Sequence, residues 1–224
     1  MTKNNQTIQI AIDGPAGAGK SSVAKVLSKR LGCIYLDTGA MYRAVTWAAI
    51  QKQIPFDDIS GMAALLETLE LEFKEVDGVQ LLFCNGVDVT EAIRTPEISA
   101  NVSAVSMIPI VRESMTAQQR RIAQGHDVLM DGRDIGTTVL PNAQYKFFLT
   151  ASLAERARRR GLELEQKGQQ VDYAQLEKDI ALRDQKDSQR EVSPLKQAAD
   201  AELIDTSALS FDEVVELLFH KIKK

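Results

Sequence analysis

Cysteine is scarce in this chain. Its 224 residues include only Cys33 and Cys84, too few and too far apart for a disulfide framework. Neither stands beside a basic cluster, so both read as small buried apolar side chains rather than reactive thiols. Histidine is equally rare: His126 and His220 belong to no partner pattern, and no Cys/His cluster has zinc spacing. No G-x-S-x-G stretch provides a serine nucleophile. No run approaches the ~18 consecutive apolar residues of a membrane span, and the opening MTKNNQTIQ has no apolar signal-peptide segment. A cytoplasmic protein without membrane association is therefore expected. Repeats, low-complexity linkers and coiled-coil heptads are missing, which favours a monomer. There is no Asn-Lys pair, so the N-K-x-D guanine motif of GTPase switches cannot be present. Positive charge is not in excess: 27 Lys and Arg stand against 31 Asp and Glu, for a net charge of −4, which argues against a nucleic-acid polymer as partner.

What is present fits a soluble globular chain, with 44% hydrophobic and 26% charged residues. The length suits one domain, or one with a sizeable insertion. The most informative stretch is IQIAIDGPAGAGKS, Ile8 to Ser21. Ile8, Ile10 and Ile12 form a β-branched run that reads as a buried strand ending at Asp13. Gly14-Pro15-Ala16-Gly17-Ala18-Gly19-Lys20-Ser21 satisfies G-x-x-x-x-G-K-[ST]. Val23, Ala24, Val26, Leu27 and Leu31 then recur at helical spacing. A phosphate chain needs several N–H donors converging on it, and only a loop nearly free of side chains lets backbone approach so closely. The helix N-terminus behind it adds free N–H groups and a positive dipole end. Lys20 reaches the β- and γ-phosphates in this motif, and the Ser21 hydroxyl ligates Mg²⁺. Gly14 through Ser21, with Ser22 after them, are the candidate nucleotide-binding residues.

The alternation continues. Cys33 to Leu36 reads as a second buried strand leading to Asp37-Thr38-Gly39, followed by a helix from about Ala40 to Lys52. Strand-loop-helix repeats of this kind predict a parallel sheet, with ligands at the carboxyl ends of its strands. Asp37, Thr38 and Arg43 thus fall on the rim of the phosphate loop. Three short strands follow: Leu71–Val76, Val79–Cys84 with Val79, Leu81 and Phe83 on one face, and Val87–Thr90. Asp77-Gly78 and Asn85-Gly86 are hairpin turns between them, and the resulting meander is an insertion spanning about 57–95. Thr95-Pro96-Glu97 caps a helix. Pro109 ends that helix or starts the next, which carries Arg112, Arg120 and Arg121. Val128–Met130 is a third buried strand that delivers Asp131-Gly132-Arg133-Asp134 to the rim, with Asp131 suited to hold Mg²⁺ or its waters. Lys146–Leu149 is a fourth strand. Ser152 and Glu155 form a capping box for a helix bearing Arg156, Arg158, Arg159 and Arg160, closed by Gly168. Asp172 opens the next helix. Its inward stripe runs Leu176, Ile180, then Arg183, Asp187 and Arg190, so an apolar face turns into a polar cavity. Leu203–Asp205 is the last strand. Ser210 and Glu213 form another capping box, and the final helix ends in Lys221, Lys223 and Lys224.

An acidic chain that bunches its arginines is built to grip a compact anion. A second anion beside a nucleoside triphosphate suggests direct phosphoryl transfer, which needs positioning and charge neutralisation. No general-base motif is apparent. That fits a phosphate acceptor, whose second pKa of about 6 leaves it ready to attack at pH 7.

GPAGAGKS, LDTGAMYR (36–43), IRTPEIS (93–99), DGRDIGT (131–137) and the Arg183…Asp187…Arg190 helix resemble bacterial cytidylate kinase, in order and over essentially the whole chain. The resemblance implies a P-loop kinase α/β fold: a parallel five-stranded sheet flanked by helices, with a small antiparallel β-meander inserted in the monophosphate-binding region and a helical lid. It divides a single domain into a core (1–37, 126–150 and 191–224), a monophosphate-binding region (38–125) and a lid (151–190). It implies ATP as phosphoryl donor, Mg²⁺, and CMP or dCMP as acceptor. By the same resemblance Arg43, Arg133 and Arg190 hold the CMP phosphate, and Ser103, Arg112 and Asp134 read the cytosine. Arg183 and Asp187 contact the ribose, and Asp37 and Thr38 line the monophosphate site. Arg158, Arg159 and Arg160 stand where lid arginines close over the transferring phosphoryl. A kinase for UMP or AMP, or a nucleotide-binding protein without transfer activity, are the competing expectations.

Overall fold

The computed structural model describes residues 7–77, 79–166 and 168–222. In chain order the elements are β1 (Gln9–Asp13), α1 (Lys20–Leu31), β2 (Ile34–Asp37), α2 (Thr38–Gln51), α3 (Ile59–Glu67), β3 (Leu71–Val76), β4 (Val79–Cys84) and β5 (Val87–Asp88). Then come α4 (Pro96–Val105), α5 (Pro109–Ala123), β6 (Val128–Gly132), β7 (Tyr145–Thr150), α6 (Leu153–Gln166), α7 (Tyr173–Ser188), β8 (Glu202–Asp205) and α8 (Phe211–Ile222). The chain folds as two compact units, Met1–Asp37 with Arg120–Lys224, and Thr38–Gln119. Among the described residues no helix is long and apolar enough to cross a membrane.

The first unit is built on a parallel five-stranded sheet in the order β2-β6-β1-β7-β8. Strands buried on both faces read as continuous apolar runs, and β1 and β6 do so. Ile10, Ala11, Ile12, Val128, Leu129 and Met130 are all fully buried. Their register, Ile10 beside Leu129 and Asp13 beside Gly132, brings Asp13, Asp37 and Asp131 to one end of the sheet. Val23, Ala24 and Leu27 of α1 and Val214, Val215, Leu218 and Ile222 of α8 join these strands in a common core. Edge positions depart from the expected burial: Ile8 precedes β1 and is exposed, and Ile34 opens the edge strand β2 and is exposed too. Cys33 is half-buried, whereas Cys84 is buried.

Helix signals in this unit are mostly honoured. Ser210 and Glu213 cap α8 reciprocally, with Ser210 N donating to Glu213 Oε2 at 2.8 Å and Glu213 N to Ser210 Oγ at 3.3 Å. At α6 only half of the expected box forms. Glu155 N donates to Ser152 Oγ at 3.2 Å, but the Glu155 carboxylate turns forward to Arg158 and Arg159. Two guanidinium groups outcompete one backbone N–H for a carboxylate. Lys221 pairs with Glu202 at 2.5 Å; Lys223 and Lys224 lie outside the described residues.

The second unit holds α2, α3, the antiparallel meander β3-β4-β5 and α4. The meander forms where the hairpin signals placed it. Asp77 and Asn85 take left-handed backbone at φ 52° and 49°; Gly78, the other half of the first turn, lies outside the described residues. Thr95 caps α4, accepting from Ile98 N, and Pro109 starts α5. One helix goes beyond expectation, and the structure settles which face of β4 is buried. A helix, α3, precedes the meander, capped by Asp58 Oδ1 accepting from Gly61 N at 2.9 Å; its Met62 and Leu65 are buried. In β4 the buried side chains are Leu82 and Cys84, while Val79 is exposed and Leu81 and Phe83 are half-buried. Lys74 lies over the Phe83 ring at 4.8 Å.

The core argument predicts unequal costs for two leucine truncations. Leu129→Ala, at a fully buried position, will lose about 2–5 kcal/mol in urea unfolding. Leu203→Ala, at an exposed position, will stay within about 0.5 kcal/mol of wild type.

Candidate active site

The phosphate loop leaves β1 at Asp13 and re-enters helix at Lys20. Gly14 has φ 145°, and a Cβ there would overlap the Leu149 carbonyl oxygen. Glycine is therefore required by both backbone conformation and space. Lys20 is buried, and its Nζ donates to Pro15 O at 2.7 Å. Burial, reinforced by the Arg133 guanidinium, pulls its ammonium down to about 7. Ser21 Oγ donates to Asp131 Oδ2 at 2.7 Å, and Tyr35 Oη donates to Asp131 Oδ1 at 2.8 Å. Burial and the charge of Asp37 push the Asp131 carboxyl up to about 6. Ser22 is exposed on α1.

The sequence marks Asp13 only as the end of a strand, yet it is a buried carboxylate with a definite task. It accepts from Ile135 N at 2.8 Å and from Gly136 N at 2.7 Å. These amides open a wide turn of π type, Ile135–Val139, directly after Arg133-Asp134. Asp13 thereby anchors the segment that carries both residues. Burial pushes its carboxyl up to about 6 against those two hydrogen bonds.

Asp187 and Arg190 of the expected inward stripe are buried beside each other, and Arg133, just after β6, meets Asp187 there. Arg133 Nε donates to Asp187 Oδ2 at 2.9 Å, and Arg190 Nη2 stands 3.4 Å from Asp187 Oδ1. Burial pushes the Asp187 carboxyl up, but Arg133, Arg190 and Arg183 together hold it below the usual range. Asp134 is buried and Arg183 half-buried.

The arginines of α6 are not a uniform cluster. Arg158 is exposed and pairs with Glu155, and Arg160 pairs with Glu163. Arg159 also pairs with Glu155 but reaches Thr206 Oγ1 at 3.0 Å and Thr206 O at 2.6 Å. Its Nη1 lies nearest a Cβ built on Gly19 of the phosphate loop, at 3.8 Å. Arg156 is buried and pairs with Asp184 of α7. Sequence reasoning places Arg156 in an arginine cluster but misses its partner Asp184, and it misses the parts played by Asp13 and Tyr35. A carboxylate closing an apolar strand was the available signal for Asp13; the Arg156–Asp184 pair left none.

In the second unit Arg43 Nη1 donates to Ser99 Oγ at 2.9 Å. Arg112 is buried, donates to Ser106 O at 3.2 Å and lies 5.4 Å from the Tyr42 ring centroid. The Ser103 hydroxyl oxygen is buried and has no hydrogen-bond partner among the described residues. Thr38 is buried as the first residue of α2. Among the described residues no group of three or more His, Cys, Asp or Glu side chains forms a metal cluster.

A parallel sheet with a glycine-rich loop, a buried lysine and a serine–aspartate pair at its carboxyl end is the fold of a P-loop kinase. The family model described as cytidylate kinase matches residues 10–224. The cytidylate kinase of Lactobacillus gasseri is 53% identical over 98% of this chain and 96% of its own length. That of Lactiplantibacillus plantarum is 52% identical over 98% and 96%. A solved structure of an uncharacterized protein from Eubacterium ventriosum superposes with a TM-score of 0.54 at 14% identity, over 97% of this chain and 99% of that one; it speaks to the fold alone. The chain belongs to the cytidylate kinase family.

Asp13 gives a pH-dependent prediction. Its carboxyl titrates near 6 when folded and near 3.8 when unfolded. Between these values the folded state binds more protons, so this group's contribution falls as pH rises from about 4 to about 6 and is constant above. Asp13→Asn removes that slope and puts an amide N–H₂ against backbone N–H, at about 1–3 kcal/mol. In urea unfolding the penalty relative to wild type should be largest near pH 4.5 and shrink by pH 7. A penalty that grows with pH would contradict it.

Proposed function

We propose that this protein transfers the γ-phosphoryl group of ATP to CMP or dCMP, giving ADP and CDP or dCDP. The observation that carries the reading is that one unit holds two grips for anions. One is the phosphate loop with Lys20 and Ser21; the other is the Arg133–Asp187–Arg190 cluster. Membership of the cytidylate kinase family supplies the donor and acceptor that such a pair of grips would serve.

Residue roles follow. Gly14–Ser21 and the adjoining Ser22 take the ATP phosphates. Arg43, Arg133 and Arg190 take the acceptor phosphate, with Asp37 and Thr38 lining its site and Arg183 and Asp187 contacting the ribose. Ser103, Arg112 and Asp134 read the base. Cytosine presents an amino donor beside two acceptors, so a carboxylate and a guanidinium suffice to recognise it. The buried Ser103 hydroxyl, unpartnered among the described residues, supports a polar ligand there, because buried hydroxyls are nearly always hydrogen-bonded. Segment 151–190 serves as a lid. Of Arg158, Arg159 and Arg160, Arg159 is assigned to the transferring phosphoryl, because its guanidinium already lies beside the phosphate loop.

Ser21 and Asp131 would hold Mg²⁺. Both are hard oxygen donors, already 2.7 Å apart, and Mg²⁺ is bound by one or two such side chains together with substrate phosphates. The ion would neutralise charge on the phosphate chain. The protein itself orients the two phosphates, excludes water and supplies arginine donors where charge develops.

The direct test is ADP release from ATP·Mg²⁺ with CMP, dCMP, UMP, AMP or GMP offered singly. Release with CMP and dCMP alone is expected. Strong release with another monophosphate would overturn the base assignment, and slow hydrolysis indifferent to acceptor would overturn transfer itself. Arg133→Ala should lower kcat by roughly 100-fold or more with the fold intact; near-normal turnover would remove it from the phosphate grip. Asp134→Asn should damage CMP-over-UMP selectivity more than the KM for ATP. Unchanged selectivity would move base reading elsewhere.

A further inference from the structure

Arg156 and Asp184 lie outside every role assigned above, yet both close on one residue of the phosphate loop, Ala16, one on each of its two flanking peptides. Ala16 N donates to Asp184 Oδ1 at 3.2 Å. Ala16 O accepts from Arg156 Nη1 at 3.0 Å. The same Nη1 pairs with Asp184 Oδ2, so the ion pair and the N–H and C=O of Ala16 form one closed set. Arg156 Nε adds a bond to Ala151 O at 3.0 Å, tying the guanidinium to the residue that follows β7. The side chain is nine-tenths buried. The backbone fits as closely: a Cβ on Gly17, where φ is 76°, would lie 3.1 Å from Arg156 Cβ and 3.2 Å from its carbonyl oxygen.

Ala16 has only a methyl group and cannot orient the two peptides that flank it. A carboxylate on its N–H and a guanidinium on its C=O do so from outside, with charge-assisted bonds on both sides. The carboxylate comes from α7. Asp184 follows Arg183 directly and precedes Asp187 by less than one helical turn, with Arg190 just beyond the helix. The loop backbone at Ala16 is thus tied to the helix that carries Arg183 and Asp187 and leads into Arg190.

We propose that Arg156 and Asp184 are a positioning pair that couples the two substrates. A nucleotide seated in the phosphate loop fixes the backbone at Ala16, Ala16 fixes Asp184, and Asp184 holds α7 so that Arg183 and Asp187, and Arg190 just past the helix end, are set for the acceptor. Linkage makes the effect reciprocal, so a bound monophosphate equally favours the loop shape that takes ATP. The proposal rests on the assignment of Arg183, Asp187 and Arg190 to CMP.

Calorimetry on the full chain tests it, titrating CMP with and without saturating AMP-PNP·Mg²⁺. In wild type the nucleotide should tighten CMP binding by about 5-fold or more, the lower end of ordinary coupling. In Asp184→Ala the tightening should fall below about 2-fold, while binding of CMP alone changes by less than about 2-fold. Arg156→Lys keeps the charge but not the fork that reaches two carbonyls at once, and should behave alike. Asp184→Asn keeps an acceptor for Ala16 N–H and loses the ion pair, so an intermediate loss is expected. Circular dichroism melts report folding; if Asp184→Ala does not fold, Asp184→Asn and Arg156→Lys decide. No tightening in wild type, or full tightening in the folded variants, overturns the proposal. If wild type binds a different monophosphate instead of CMP, the CMP assignment fails, and the same titration with that monophosphate tests the coupling on its own.

Discussion

A loop without side chains can hold a phosphate chain only if something else holds the loop. In this protein that constraint organises the whole first unit. Gly14 is pressed against the Leu149 carbonyl of β7. Lys20 closes the loop back onto Pro15 O. Arg156 and Asp184 take both polar groups of Ala16. Asp13, at the point where β1 becomes the loop, reaches across to the segment after β6. Of these hydrogen bonds to the loop, only the one to Asp184 uses a loop N–H, that of Ala16, while Lys20 and Arg156 bond to loop carbonyls. A loop held mainly through its carbonyls can keep its N–H donors for phosphate, which is what preorganised phosphate binding requires.

Holding the loop this way puts charges where water cannot solvate them. Asp13, Lys20 and Asp131 are all at least nine-tenths buried within one end of the sheet. Burial lifts the two carboxyls to about 6 and lowers the ammonium to about 7. Their ionisation is kept within reach of neutral pH by hydrogen bonds, two for Asp13 from backbone amides and two for Asp131 from hydroxyls. The same logic explains how an acidic chain can gather arginine. Arg133 and Arg190 share Asp187, Arg156 has Asp184, and Arg158 and Arg159 share Glu155. The chain's carboxylates set these guanidinium groups in place before any ligand charge is considered.

Much of this was legible because the decisive signals are local. The phosphate loop, the β-meander turns, the caps at Thr95, Asp172 and Ser210 and the polar continuation of the α7 stripe each depend on residues within a few positions of one another. Errors arose where a local signal met a stronger neighbour or a distant one. Glu155 was available to complete a capping box, but Arg158 and Arg159 stand one turn away on its own helix and take it. Ile8 and Ile34 have strand propensity, but flank or open edge positions where burial is incomplete. In β4 either alternate set could have faced inward, and the inward set is Leu82 and Cys84. The α3 helix gives little sequence signal, because nine residues with a short apolar stripe are weak beside three clear strands. Asp13, Tyr35 and the Arg156–Asp184 pair depend on partners tens of residues away, and no spacing rule reaches them.

That division between local and distant signals has a physical counterpart on α7. Its inward residues Arg183 and Asp187, with Arg190 just past its end, recur at four and three positions, so periodicity finds them. Asp184 is one position on, rotated by about 100° around the helix axis, and falls off that stripe. Periodicity would assign it to the surface. It instead points at a second target, the Ala16 peptide. A helix that serves two ligands must present two directions, and only one of them can coincide with its regular face. The second direction is supported by a partner, Arg156, buried on a different helix, which is why the pair becomes visible only once α6 and α7 are packed.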